Sequence, residues 1–176
     1  MSTGVVVTHA QRTAVGRAGR GALAQTRPDE LLSRLIESFV SQTPQLDAAT
    51  IEDVIIGCAF PEAEQGMNVG RIAAMRAGLP VSVPAMTINR FCSSGLQTLA
   101  SGAAQVHAGW SDIILTGGVE SMSMIPMGGQ KPSPNPHLAD SFPEAYESMG
   151  ITSENVASRY DVSREDQDAF AAESHA

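Results

Sequence analysis

The sequence predicts an α/β fold built on a parallel sheet. Short β-branched, apolar runs alternate with stretches of helical periodicity. The runs are continuous rather than alternating, which fits strands buried on both faces. Their spacing leaves room for helical crossovers, which parallel strands need and hairpins do not. The expected order is βαβαβαβ.

Each element has a local reason. Val5-Val6-Val7-Thr8 reads as a first short buried strand. Residues 11–26 carry Gly16, Gly19 and Gly21 among arginines and read as loop. A phosphate-binding role for that loop lacks the Gly-Lys-Ser/Thr ending such loops use, and a mobile loop is the better reading. Pro28 stands at a first helical turn with Asp29 and Glu30 behind it, a start signal that the following acids strengthen. Leu31, Leu32, Leu35, Ile36, Phe39 and Val40 then recur at helical spacing, so 28–41 is an amphipathic helix. Asp53–Gly57 is a second strand, Asn68–Ala77 a helix stopped by Gly78-Leu79-Pro80, and Pro84–Asn89 a third strand. Ser93–Ala108 is a helix and Asp112–Thr116 a fourth strand, closed by Gly117-Gly118. Residues 119–150 are dense in Met and Pro with little periodicity, and a stretch that long is usually functional or an interface element. Two helices follow, one starting near Thr152 or Ser153, the other capped by Ser163 with Glu165 and Asp166 in its first turn.

Composition narrows the function. The 176 residues suit one domain with a real core, and 43% hydrophobic against 17% charged residues is the balance of a soluble globular protein. The net charge of -8, with no basic cluster, disfavours nucleic acid as a partner. Val5–Val7 is too short for a signal segment or a membrane span. Two cysteines do not make a disulfide framework, and a cytoplasmic setting is expected. The acidic pairs Asp29-Glu30 and Glu165-Asp166 fit helix starts better than carboxylate catalysis.

Cys92 is the residue that carries chemistry. A strand ends at Asn89, and a helix rich in small residues begins within a few positions. Cys92 therefore sits on a tight strand-to-helix turn. A helix N-terminus favours the thiolate, the reactive form of Cys. The first N–H groups of a helix have no intrahelical partner and can donate to an oxyanion. Sulfur thus takes the place that a serine takes in a nucleophile elbow. The competing reading is a small buried hydrophobe at an element junction. From Leu96 to Trp110 no charge appears beyond His107, as in a helix covered on both sides by sheets. Cys58, after the second expected strand, reads as structural.

Asn89-Arg90-Phe91-Cys92-Ser93-Ser94-Gly95-Leu96-Gln97 and Gly117-Gly118-Val119-Glu120-Ser121-Met122-Ser123 closely resemble motifs of the thiolases, the acyl-CoA acyltransferases. Ala10-Gln11-Arg12-Thr13-Ala14-Val15-Gly16 and Met149-Gly150-Ile151-Thr152-Ser153-Glu154-Asn155-Val156-Ala157 resemble two further signatures, in order along the chain. The resemblance implies a thiolase-like fold: residues 1–118 as the N-terminal half of a five-layer αβαβα architecture, and 119–176 as the start of the loop domain. It implies that Cys92 is acylated by a 3-ketoacyl-CoA, expels acetyl-CoA and passes the acyl group to a second CoA, or runs the reverse Claisen condensation. The Cys92 backbone N–H would form part of an oxyanion hole, and Met149 would pack beside the acyl pocket. Coenzyme A enters as substrate, with no covalently bound cofactor and no metal. Met122–Pro136 matches the loop by which family members form tetramers, and 68–71 with the Cys92 strand lies near the family's dimer interface, so a homodimer or homotetramer is expected. Ser148 stands where acetoacetyl-specific biosynthetic members often carry His, which leans toward broader 3-ketoacyl-CoA degradation in fatty acid metabolism and leaves a biosynthetic role open.

The family's Gly-His-Pro motif, its second cysteine in Cys-x-Gly-Gly-Gly and its water-holding Asn-Glu segment do not occur among these residues. His9, His107, His137 and His175 match none of them. The expectation is therefore an N-terminal portion of a thiolase, inactive alone, whose acid/base groups lie in a C-terminal half. Two alternatives stand beside it: a non-catalytic fragment or subunit needing a partner chain, and a related ketosynthase-like condensing enzyme.

Overall fold

The computed structural model describes residues 4–176. The chain divides after Lys131 into two units. The first is an α/β layer structure. Its sheet has three parallel strands, β1 (Asp53–Gly57), β2 (Ala85–Ile88) and β3 (Ile114–Gly118), in the order β2-β1-β3. All five residues of the central β1 are buried, as its unbroken Val-Ile-Ile run requires.

Alternation along the strands assigns the two faces. Val54 and Ile56 join Cys58, Leu32, Ile36, Val69 and Ala73 in one core cluster. That face is covered by α1 (Pro28–Gln42) and α2 (Val69–Arg76). Arg76 pairs with Glu30 and Glu37 of α1 at the surface between these helices. Gly57 and Thr116 point to the opposite face, which α3 (Ser94–His107) covers. The approach is close. A Cβ on Gly57 would lie 2.5 Å from the Ser94 carbonyl carbon, and one on Gly102 would lie 2.7 Å from Thr116 Cγ2. Ser94, Thr98 and Gly102 are the buried residues of α3.

The first expected strand is not formed. Residues 4–10 have no regular structure, and Val6 and Val7 are 75% and 67% exposed. A β-branched run favours an extended backbone, but a strand needs a neighbour's hydrogen-bonding edge, and none among the described residues pairs with it. The last strand starts two residues later than its composition suggests. The Glu52 carboxylate takes the Asp112 and Ile113 N–H groups, so the ladder opens at Ile114 and runs on to Gly118 beside Gly57. The side of α3 turned away from the sheet carries exposed apolar residues: Leu96 is 70% and Leu99 43% exposed.

Residues 119–131 cluster with the first unit. The Val119 N–H donates to Gly57 O, and Ile125 is buried. The second unit holds α4 (Pro136–Ser141), α5 (Met149–Arg159) and α6 (Arg164–His175), each capped by a side chain. Asn135 Oδ1 accepts the Leu138 N–H and Ser163 Oγ the Asp166 N–H. Ser148 Oγ accepts the Ile151 N–H, which starts α5 at Met149 rather than near Thr152. None of the helices among the described residues is long and apolar enough to cross a membrane.

Candidate active site

The three strands are parallel, so the loops that follow them emerge at one edge of the sheet. In open α/β sheets that edge is where sites form. Cys58-Ala59 follow β1, Asn89–Cys92 follow β2 and Val119–Ser121 follow β3.

Cys92 occupies the middle of a single 3₁₀ turn, Phe91–Ser93, that leads directly into α3. Its side chain is exposed and unpaired, which removes the reading of a buried small hydrophobe. The backbone around it is heavily fastened. The Arg90 N–H donates to Ser94 Oγ (2.8 Å), and the Phe91 N–H to Asn89 Oδ1 (2.7 Å). The Arg90 carbonyl accepts from the Ser93 N–H (3.1 Å) and Ser93 Oγ (3.0 Å). The Phe91 carbonyl accepts from the Ser94 N–H and from Ser94 Oγ (2.6 Å). Among the described residues, the Cys92 N–H has no acceptor. Phe91 holds a left-handed backbone at φ 44°, and its ring lies 6.0 Å from that of Phe60. The turn therefore presents a thiol and a free amide side by side. A thiolate there could attack a carbonyl, and the amide could donate to the oxyanion that results.

A polar chain binds the three loops together. Asn89 Nδ2 donates to the Ala59 carbonyl (2.9 Å), while the Ala59 N–H donates to Glu120 Oε2 (2.7 Å). Glu120 Oε1 accepts from the fully buried Gln65 (2.7 Å), whose own carbonyl oxygen accepts the Ser121 N–H. Asn89 and Glu120 lie within the matching motifs, which give neither a task, and Gln65 lies outside them. The available signal was the place of Asn89 and Glu120 just past strand ends.

Cys58 is also part of this assembly. It is 1% exposed, and its thiol lies 3.8 Å from Glu120 Oε1. Burial, together with the Glu120 charge, pushes the Cys58 thiol up to about 12, so it stays protonated at neutral pH and inert. Iodoacetamide at pH 8 is accordingly expected to alkylate Cys92 and leave Cys58 intact, read by peptide mass spectrometry. Equal labelling of both would contradict the assignment.

Met149 lies in the second unit, exposed at the first position of α5, so the two residues singled out for the site belong to different units. His9 stacks edge-on against Phe39, with ring centroids 5.6 Å apart. His107 ends α3, about 20 Å along the helix from its start near Cys92. No histidine bonds to Cys92 among the described residues. No group of three or more potential metal ligands occurs among them either. Beside the turn lies an open concavity of about 200 Å³, lined by Arg90, Ser93, Leu96, Gln97 and Ala100.

Comparison with known proteins agrees with this architecture. The family described as "Thiolase, N-terminal domain" matches residues 5–176. A 3-ketoacyl-CoA thiolase of Bacillus subtilis (strain 168) is 50% identical over 175 residues, which is 99% of this chain and 44% of that protein. The peroxisomal 3-ketoacyl-CoA thiolase 5 of Arabidopsis thaliana is 46% identical over 97% of this chain and 38% of its own length. A 3-ketoacyl-CoA thiolase of Saccharophagus degradans is 42% identical over 97% of this chain and 44% of its own length. The chain thus spans less than half the length of these relatives. The match over nearly every residue, on a parallel sheet whose strand-end loops carry the matching motifs, makes this chain a member of the thiolase family.

Proposed function

We propose that this chain provides the nucleophile of a 3-ketoacyl-CoA thiolase, and that Cys92 is that nucleophile. The observation that carries the reading is the exposed Cys92 thiol beside its own unbonded N–H, on a turn whose neighbouring polar groups are fastened. The Cys92 thiolate attacks the 3-keto carbon, forming a C–S bond while the carbonyl electrons move to oxygen. The Cys92 N–H donates to that oxyanion as part of a hole. Collapse re-forms the carbonyl and breaks the C2–C3 bond. The electron pair goes to C2, which takes a proton and leaves as acetyl-CoA. The thiol of a second CoA gives up its proton to a base, attacks the thioester and releases a shortened acyl-CoA, with Cys92 leaving as thiolate. The reverse order is a Claisen condensation.

The proton donor and base are assigned to residues outside this sequence, because the two histidines of the first unit sit against Phe39 and at the far end of α3. Met149 is assigned to the wall of the acyl pocket. The protein is read as a cytoplasmic homodimer or homotetramer, with Met122–Pro136, where Met122 and Met127 are exposed, as its assembly loop. The names of the relatives support the 3-ketoacyl-CoA substrate class.

The test is CoA-dependent conversion of a 3-ketoacyl-CoA to acetyl-CoA and the shortened acyl-CoA, followed by chromatography and mass spectrometry. The full-length gene product is expected to turn over, and the 176-residue chain alone to show negligible conversion. Turnover by the chain alone would overturn the assignment of the acid/base groups.

A further inference from the structure

We propose that Asn89 is a positioning residue for Cys92, acting through the left-handed backbone of Phe91 rather than through contact with the reacting atoms. The proposal rests on the reading of Cys92 as nucleophile, and it adds what aims the Cys92 amide.

Phe91 stands one residue before Cys92 at φ 44°, a region that L residues with a side chain avoid. Something must hold it there. Its N–H donates to Asn89 Oδ1 at 2.7 Å, an Asx turn closed two residues on. Asn89 is itself held, because its Nδ2 donates to the Ala59 carbonyl at 2.9 Å. Ala59 is held in turn, because its N–H donates to Glu120 Oε2 at 2.7 Å. The side chain that sets the Phe91 angle is thus anchored through the β1 loop to the β3 loop. Asn89 sits at the junction, with one end of its amide on each neighbour.

The next peptide plane transmits the constraint. A trans peptide places its C=O and N–H on opposite sides. The Phe91 carbonyl and the Cys92 N–H share one plane, and that carbonyl is fixed by Ser94 Oγ at 2.6 Å. With the peptide before Phe91 held through its N–H by Asn89 and the peptide after it held through its carbonyl by Ser94, the turn between the two planes is fixed at positive φ, and the Cys92 N–H points away from Ser94, into space without an acceptor. If Phe91 relaxed to negative φ, this plane would turn and take the amide with it. The thiol would stay exposed, but the oxyanion donor would be misaligned.

The experiment uses the full-length protein and measures acylation of Cys92 by a 3-ketoacyl-CoA. Asn89→Ala is expected to slow acylation at saturating substrate by about 10- to 100-fold with KM changed less than about threefold, since one misplaced donor affects the transition state rather than binding. Glycine adopts positive φ without penalty. In a Phe91→Gly background, the same Asn89→Ala change is therefore expected to cost less than about threefold. Asn89→Asp keeps an acceptor for the Phe91 N–H and is expected to acylate faster than Asn89→Ala, each compared at the plateau of its own pH profile. It also serves if Asn89→Ala does not fold. An equal cost of Asn89→Ala in both backgrounds, or no cost in the parent, overturns the proposal. A parent protein that takes no acyl group on Cys92 overturns the thiolase reading instead. The positioning claim is then decided by crystal structures. Phe91 is expected to leave its left-handed angle in Asn89→Ala, and position 91 to keep it when Phe91→Gly is added. An unchanged Phe91 angle in Asn89→Ala overturns it.

Discussion

Cys92→Ser in the full-length protein is expected to lower thiolysis by about 10⁴-fold or more while leaving the fold intact. A serine hydroxyl at this turn keeps the exposed position and the free amide but is a far weaker nucleophile toward a carbonyl than a cysteine sulfur. The Cys92 side chain is exposed and makes no hydrogen bond among the described residues, so its exchange for oxygen removes no packing. The melting temperature should therefore stay within about 1 °C of the parent, since exposed positions away from buried networks contribute within roughly 0.5 kcal/mol. Loss of turnover with an unchanged melt separates the chemical role from a structural one. Retained turnover in Cys92→Ser would remove Cys92 from the mechanism.

Gly57→Ala is expected to damage stability and the site together. The added Cβ would stand 2.5 Å from the Ser94 carbonyl carbon, 2.7 Å from Ser94 O and 2.8 Å from Gly95 N. All three are backbone atoms at the start of α3, so no side chain can swing aside. Either the helix start lifts from the sheet or β1 shifts in a fully buried layer. Overpacking of this kind costs about 3 kcal/mol, which lowers the melting temperature of the full-length protein by several degrees. Ser94 also fastens the Arg90 N–H and the Phe91 carbonyl, in the turn that carries Cys92. Moving Ser94 therefore moves Cys92, and the variant that remains folded should acylate at least about tenfold more slowly. Gly57→Ala with a parent melting curve would contradict the close packing on which the site is built.

These two effects show how far local sequence reached. Pro28, Asp29 and Glu30 announced α1, and the structure starts that helix at Pro28. The Val54-Ile55-Ile56 run announced β1, the most buried strand. The strand-to-helix turn at Cys92 was legible because strand, turn and small-residue helix are neighbours in sequence. What was not legible depended on distant partners. Val5–Thr8 has the composition of a strand, but composition does not supply a pairing edge. The start of β3 is set by Glu52, 60 positions before Asp112. Gly57 reads as an ordinary strand end until Ser94 is found against it. The grip of Asn89 on Ala59 spans 30 positions, and that of Glu120 on Ala59 spans 61. Motif matching marked two of these residues without stating what they do. The start of α5 lies at Met149, ahead of Thr152, because the Ser148 hydroxyl caps the helix there.

Acylation of Cys92 is the step on which the proposed mechanism turns. Incubating the full-length protein with a 3-ketoacyl-CoA in the absence of free CoA, quenching in acid and mapping peptides by mass spectrometry tests it directly. The predicted result is one acyl adduct, on the peptide containing Cys92, that disappears when CoA is added, with Cys58 unmodified. An adduct elsewhere, or none on Cys92 under conditions where the protein consumes substrate, would place the nucleophile on another residue.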